Sequence, residues 1–485
     1  MTSQPYLGRP LRNSSVWVKR RDKLFAFPKP LSSDLPAAGL SSPSIRTPVL
    51  GPRAYGVALW DVPLLALPGS RVEFDYGEPL DCAVLSPLDA VGVLASTQTG
   101  FMPPRCPDYR FPEPLSALAS LCQAASTLYS HEDAQGFRRW LQAENDTLAR
   151  RAGTLVELIH SAMSLPLPEQ ELLMVPLIYL NHMWRQGSPV LDAASGPSVM
   201  PTCFDVLLTA LSESTGILPR FNQLIMTMRA WRIDSLSDGD GVSYRDLTDL
   251  NQVRPYFWLN GVNQSELDFY RAFFTVESFG IPVYGWGALA LECAAADDAE
   301  LGAFALRCVH DTLRNVYFCV RHLVPKVDPM EFRKIQLTGG WVNDDLNGAA
   351  SGYQLPFMLM LDALFQVDYS HAGAATARAN GLRFVPGRWK EFFRSIHDHT
   401  PGLRSWVQQR QDTKLTEAYQ SCVDMYTVHR TLHRYTAGQT LRGATTTGRA
   451  FVSAERNYRD FMSETGALVR DTEAVGLAEH EERRH

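Results

Sequence analysis

From residue 171 onward the sequence is governed by apolar residues at helical spacing, and that period leaves few alternatives to an all-α fold. The stretches 171–184, 203–214, 264–278, 303–323, 355–366 and 415–435 repeat apolar side chains every three or four residues, which gathers them on one face of a helix. Strand-like alternation bounded by hairpin turns is scarce, so no sizeable sheet is expected. No unit of roughly 20–50 residues repeats, which sets aside solenoids and propellers.

The N-terminal third has a different texture. Residues 1–50 are rich in proline and serine and read as an extended arm. Residues 51–165 mix short apolar runs with Pro-Gly punctuation, followed by helical stretches at 115–129 and 136–163. They read as a small N-terminal domain, closed by the turn signals at Leu165-Pro166-Leu167-Pro168. Residues 166–470 then form a large helical domain, and 471–485 a frayed tail. A chain of 485 residues exceeds one ordinary core, in keeping with two or three domains.

Composition narrows the function classes. Charged residues make up 20% and the formal net charge is −6, whereas a nucleic-acid binder normally shows a basic surface. The eight cysteines form no C-x-x-C pair, which argues against zinc ribbons and thioredoxin-like redox sites. The first twenty residues hold no apolar h-region, and no uninterrupted apolar run reaches eighteen residues. The expected setting is a reducing cytoplasm, without membrane spans or disulfides.

The stretch 415–435 carries the most chemistry. Its stripe runs Leu415, Tyr419, Cys422, Tyr426, His429 and His433, which sets two histidines one turn apart on the inner face of one helix. Burying an imidazole costs free energy unless its nitrogens find partners or one ligates a metal. A core histidine is more often hydrogen-bonded than metal-bound, so the stripe alone leaves both readings open.

Neighbouring segments add a family resemblance. Leu415-x-x-Ala418-Tyr419-x-x-Cys422-Val423, leading into Arg430-Thr431-Leu432-His433, resembles the segment before the proximal histidine of the indoleamine 2,3-dioxygenase family. The segment Ser351-Gly352-Tyr353-Gln354 through Asp362 is similar to that family's distal segment, again without gaps. Arg271-Ala272-Phe273-Phe274-Thr275-Val276-Glu277-Ser278 is similar to its helix over the distal pocket. The resemblance covers about residues 170–465, in the family's order. It implies an all-α haem domain with haem b held through its iron by His433, with His429 as the alternative ligand. It further implies that Arg430 pairs with a haem propionate and that Ser351 hydrogen-bonds oxygen or substrate on the distal face. Phe273, Phe274, Tyr179 and Gln354 then lie at the substrate pocket. The implied chemistry is dioxygen acting on an electron-rich aromatic ring, with an electron donor to reduce the haem.

Two departures redirect that expectation. Tryptophan-cleaving members hold substrate with a phenylalanine and, five residues on, an arginine. Here Phe332 takes the aromatic position, but five residues on stands Leu337, and Arg333 is the nearest cation. Loss of a bidentate clamp leaves a carboxylate unpaired, which costs several kcal/mol when it is buried. The glycine-threonine loop reads Arg442-Gly443-Ala444-Thr445-Thr446-Thr447-Gly448-Arg449. Its glycines suit closure over substrate, Thr447 and Gly448 face the pocket in this reading, and Arg442 and Arg449 are the remaining cations for an acidic group. These departures resemble the monodechloroaminopyrrolnitrin synthase-like branch, which implies a biosynthetic oxygenase acting on an indole or phenol amino acid or derivative. The alternatives are tryptophan 2,3-dioxygenation to N-formylkynurenine, a non-catalytic haem oxygen binder, and a haem-free helical scaffold.

Overall fold

A computed structural model describes residues 28–29, 86–129, 134–186, 200–219, 221–259, 262–323, 327–328, 355–372, 375, 382, 384–445 and 452–477. Most of the described residues are helical, and besides the short helical turns Pro87–Ala90, Val91–Val93 and Leu115–Ala117 the helices number fifteen among the described residues. In chain order these are α1 (Leu118–Leu128), α2 (Ala134–Ala152), α3 (Leu155–Met163), α4 (Leu167–Gln186), α5 (Thr202–Thr215), α6 (Gln223–Met228) and α7 (Tyr244–Thr248). There follow α8 (Gln264–Gly280), α9 (Pro282–Ala296), α10 (Ala299–Leu323), α11 (Pro356–Leu364), α12 (Gly387–His397), α13 (Leu403–Arg410), α14 (Thr413–Thr445) and α15 (Val452–Ala474). Two three-residue strands, β1 (Trp231–Ile233) and β2 (Val253–Pro255), form one antiparallel pair with Trp231 opposite Pro255.

Local chemistry sets the helix boundaries. The stretch expected at 136–163 is two helices because Gly153 takes a positive φ of 77°, a backbone state open mainly to glycine. Thr154 then caps α3 in a reciprocal capping box with Glu157. Pro168 stands in the first turn of α4, where its missing N–H is not needed. The turn read at 165–168 is thus the start of that helix.

One apolar core runs from Leu88 to Leu477. Helices α2 and α3 pack on α5, and α1 packs on α4, so the sequence boundary at residue 165 falls inside a packed group of helices. The second group is built on α10, which lies along α8, α9 and α14, while α15 covers α14 and α11 packs on α9 and α12. Stretch Gln264–Ala296 is long and apolar enough to cross a membrane, and 83% of its most apolar window is buried inside the fold. It forms the centre of the core.

Helix α11 enters this core closely because glycines face it. A Cβ on Gly280 lies 2.2 Å from Cδ2 of Phe357, and one on Gly287 lies 2.6 Å from Cε of Met360. Both are far inside van der Waals contact, so these helices approach as they do only where a side chain is absent.

The tail begins later than 471. Thr472, Val475 and Leu477 are buried. Tyr419 donates its hydroxyl to the Val475 carbonyl at 2.8 Å, and the Leu477 amide donates to Gln420 at 2.9 Å. Two apolar side chains and these bonds hold the chain against α14, and residues 478–485 lie outside the described part.

Candidate functional site

Helix α14 is the backbone of the site. Leu415, Tyr419, Cys422, Tyr426 and His429 are all buried, so the stripe read from the sequence faces the core as far as His429, whereas His433, expected on the same inner face, is exposed because α14 has by then run past the packed core. Cys422 donates its thiol to the Leu306 carbonyl of α10 at 3.0 Å, which fixes the rotation of this face.

The two histidines stand differently. His429 is buried, its Nδ1 has no hydrogen-bond partner, and its ring meets that of Phe357 edge-on at 6.2 Å between centroids. Burial, aided by the charges of His433 and Arg430, pulls its pKa down to about 3. His433 is exposed, yet desolvation by the surrounding chain, aided by the Arg430 charge, lowers its pKa to about 4. Both rings are neutral at neutral pH, which is the form that ligates a metal.

Between them, Arg430 is anchored from the opposite side. Its side chain is 4% exposed, and Nη2 donates to Oδ1 of Asp362 and to the hydroxyl of Tyr426. Tyr426 donates to the same carboxylate at 2.6 Å, and Tyr369 donates to its other oxygen. Asp362 is fully buried, so three donors balance one buried carboxylate, as the desolvation penalty requires. The resemblance gave Asp362 and Arg430 as separate matches in segments 68 residues apart; the structure brings them into one cluster that ties α11 to α14.

The start of α11 is held by a second buried carboxylate. Glu277, near the end of α8, accepts from the Phe357 amide at 2.9 Å and from the Tyr284 hydroxyl at 2.9 Å. It is fully buried, and that desolvation raises its pKa to about 7 against the lowering by those two bonds. Sequence reasoning gave Glu277 no role, although it is the lone charged residue between Ala272 and Leu291. Tyr369, outside the matched segments, left no signal.

The expected pocket aromatics divide. Phe274 is fully buried, its ring 5.9 Å from Trp231 and 5.8 Å from Tyr270. Tyr179 is enclosed between Phe221 at 5.0 Å and Phe257 at 5.5 Å. Both serve the core. Phe273 is half-buried and meets Phe269 edge-on at 4.9 Å, so it retains surface with which to touch a ligand. Ser351, Gln354, Phe332, Arg333, Leu337, Thr447, Gly448 and Arg449 lie outside the described residues. Helix α14 continues through Arg442-Gly443-Ala444-Thr445, four residues into the segment read as a loop. Propagating a formed helix adds one hydrogen bond per residue and outweighs the roughly 1 kcal/mol that Gly443 costs.

Among the described residues no three His, Cys, Asp or Glu side chains converge as a chelating set; a porphyrin iron needs only one protein ligand. No family description matches this chain, and no curated protein matches it.

Proposed function

We propose that this protein is a haem-dependent oxygenase that uses dioxygen on an aromatic amino acid or derivative, with His433 as the iron ligand. One observation carries the reading: α14 sets two imidazoles one turn apart, both held neutral by desolvation, His429 buried with an Nδ1 that lacks a partner and His433 exposed. A buried unpaired polar atom costs about 1–3 kcal/mol, and a site for a metal-bearing group explains why the sequence retains it. The residues fit haem b: a neutral imidazole, His433, for iron, a guanidinium three residues before it at Arg430, and one turn inward His429 against the apolar ring of Phe357. The family resemblance of residues 351–362 and 415–433 supports the same assignment.

Each residue has a defined task in this reading. His433 would supply the nitrogen that holds the iron, and His429, packed on Phe357, keeps the inner end of α14 dry. Asp362 offsets the Arg430 charge, so Arg430 meets a propionate as part of a fixed cluster and not as a lone cation. Phe273 forms part of an apolar wall against the aromatic substrate. The oxygen chemistry is the cofactor's own, and the protein orients substrate and excludes water. Reconstitution with haem b, reduction, and mass analysis after aerobic incubation with indole and phenol amino acids tests the proposal. A product one or two oxygen atoms heavier is expected. Haem uptake with oxygen binding but no product from any of them points instead to a carrier.

A further inference from the structure

Helix α11 is the link between the two buried carboxylates. Its N-cap residue, Leu355, offers no side-chain acceptor, so the free amides of its first turn must be met from elsewhere. Glu277 meets one of them from α8, at the positive end of the α11 dipole. The amide it holds belongs to Phe357, whose ring is seated on Gly280 and faces His429. Five residues further along, Asp362 grips Arg430 and Tyr426 on α14. Glu277 therefore bears on α14 by two routes, through the Phe357 ring and through the seating of the whole helix.

Its surroundings are sparse in charge. Tyr284, from the first turn of α9, is the titratable group bonded to it, and α11 presents a backbone amide. His429 of α14 faces the Phe357 ring and is not among the groups that act on Glu277. Beyond burial, the influences on its titration are those two hydrogen bonds, with no cation from α10, α11 or α14 among them. Tyr284 cannot drift to compensate, because its ring is wedged between Phe101 at 5.1 Å and Phe392 at 6.0 Å.

We propose that Glu277 is a positioning residue of the haem site: by capping α11 it sets the Phe357 ring against His429, and its gain or loss of a proton alters that setting. When ionised, Glu277 accepts from both Tyr284 and the Phe357 amide. When protonated, it keeps the amide as donor and gives its own proton toward the Tyr284 oxygen, so one bond reverses while the cap persists. A raised pKa of about 7 brings this exchange into the neutral range. The proposal rests on the haem reading for its spectroscopic consequence and on geometry alone for the cap.

Two measurements on the full-length chain separate these. Hydrogen exchange of the peptide covering α11 is followed in haem-free wild type, Glu277→Ala and Glu277→Gln. The alanine variant is expected to exchange about tenfold faster in the first turn, as for one lost charged hydrogen bond, and the glutamine variant to resemble wild type at pH 6. Equal exchange in wild type and Glu277→Ala overturns the cap. The haem-loaded proteins are then titrated from pH 6 to 8, following the Soret maximum and the reduction potential. Wild type is expected to show a one-proton step near neutrality that Glu277→Gln abolishes. Tyr284→Phe, which removes one donor to the ionised form, moves that step to higher pH. Identical profiles in all three overturn the tuning role. A chain that binds no haem overturns the proposed function and the tuning with it, while exchange still decides the cap.

Discussion

Replacing Asp362 by alanine separates α11 from α14 and measures how strongly the site is held. The carboxylate is fully enclosed, with Tyr369, Tyr426 and Arg430 donating to it. Its removal takes from a guanidinium side chain of 4% exposure the buried carboxylate it is paired with, which costs about 3–5 kcal/mol. The Tyr369 hydroxyl loses its carboxylate acceptor, for about 1 kcal/mol more. A total of about 5 kcal/mol is comparable with the whole stability of many domains. Tyr369→Phe, which loses one hydrogen bond to a charged group, should cost about 2 kcal/mol, and Tyr426→Phe, which loses its bond to Asp362 and the one it accepts from Arg430, about 3 kcal/mol. Removing both charges, as Asp362→Leu with Arg430→Met, should recover most of the loss, because no buried charge is then left unpaired. Urea unfolding of the haem-free protein, followed by helical circular dichroism, reads all four variants. An Asp362→Ala midpoint within about 1 kcal/mol of wild type, or a double variant no better than the single, refutes the buried-cluster argument.

The other predictions concern the same three helices and the substrate. Because the folded-state pKa of Glu277 is raised from 4.5 to about 7, its unfolded form ionises first; stability is full below pH 4.5, falls as pH rises to about 7, and is constant above. The loss is about 3 kcal/mol, and the stability difference between wild type and Glu277→Gln should trace that slope; a difference independent of pH contradicts it. Gly280→Ala drives a methyl to 2.2 Å from the Phe357 ring, so it should lower the unfolding free energy from urea titration by about 1–3 kcal/mol, and an unchanged value counts against the packing of α8 on α11. L-Tryptophan should be opened poorly, since Leu337 stands where the resemblance implies an arginine; rapid appearance of N-formylkynurenine absorbance under reducing, aerobic conditions contradicts this.

Much of the fold was legible because amphipathic helices write their period into the sequence. The stretch 203–214 is α5 to within a residue at either end, and 264–278 is α8 to within two. Helix α9 escaped because it is apolar nearly all round, from Pro282 to Ala294, and so shows no stripe. Glycine and proline punctuation marked the split at Gly153 only in hindsight, since an isolated glycine is tolerated inside a helix. At the site, the buried face of α14 was readable from spacing as far as His429, while His433, read onto the same face, is exposed. The Asp362–Arg430 pair was not, because its partners are 68 residues apart and nothing local couples them. The Glu277 cap joins residues 80 apart and left only one trace, a single acid in an apolar run. Tyr179 and Phe274, taken as pocket walls, lie in the core because an aromatic on an inward face packs against whatever aromatic it meets.

The central claim is that α14 presents an iron ligand, and haem stoichiometry in three proteins tests it most directly. Wild type, His433→Ala and His429→Ala are purified, reconstituted with haem b and read by the Soret band against protein concentration. The account predicts about one haem per chain in wild type, as expected for a single proximal ligand, near-complete loss in His433→Ala, and retention in His429→Ala. Full haem in His433→Ala with loss in His429→Ala moves the ligand one turn inward, and a wild-type chain without a Soret band contradicts the account outright.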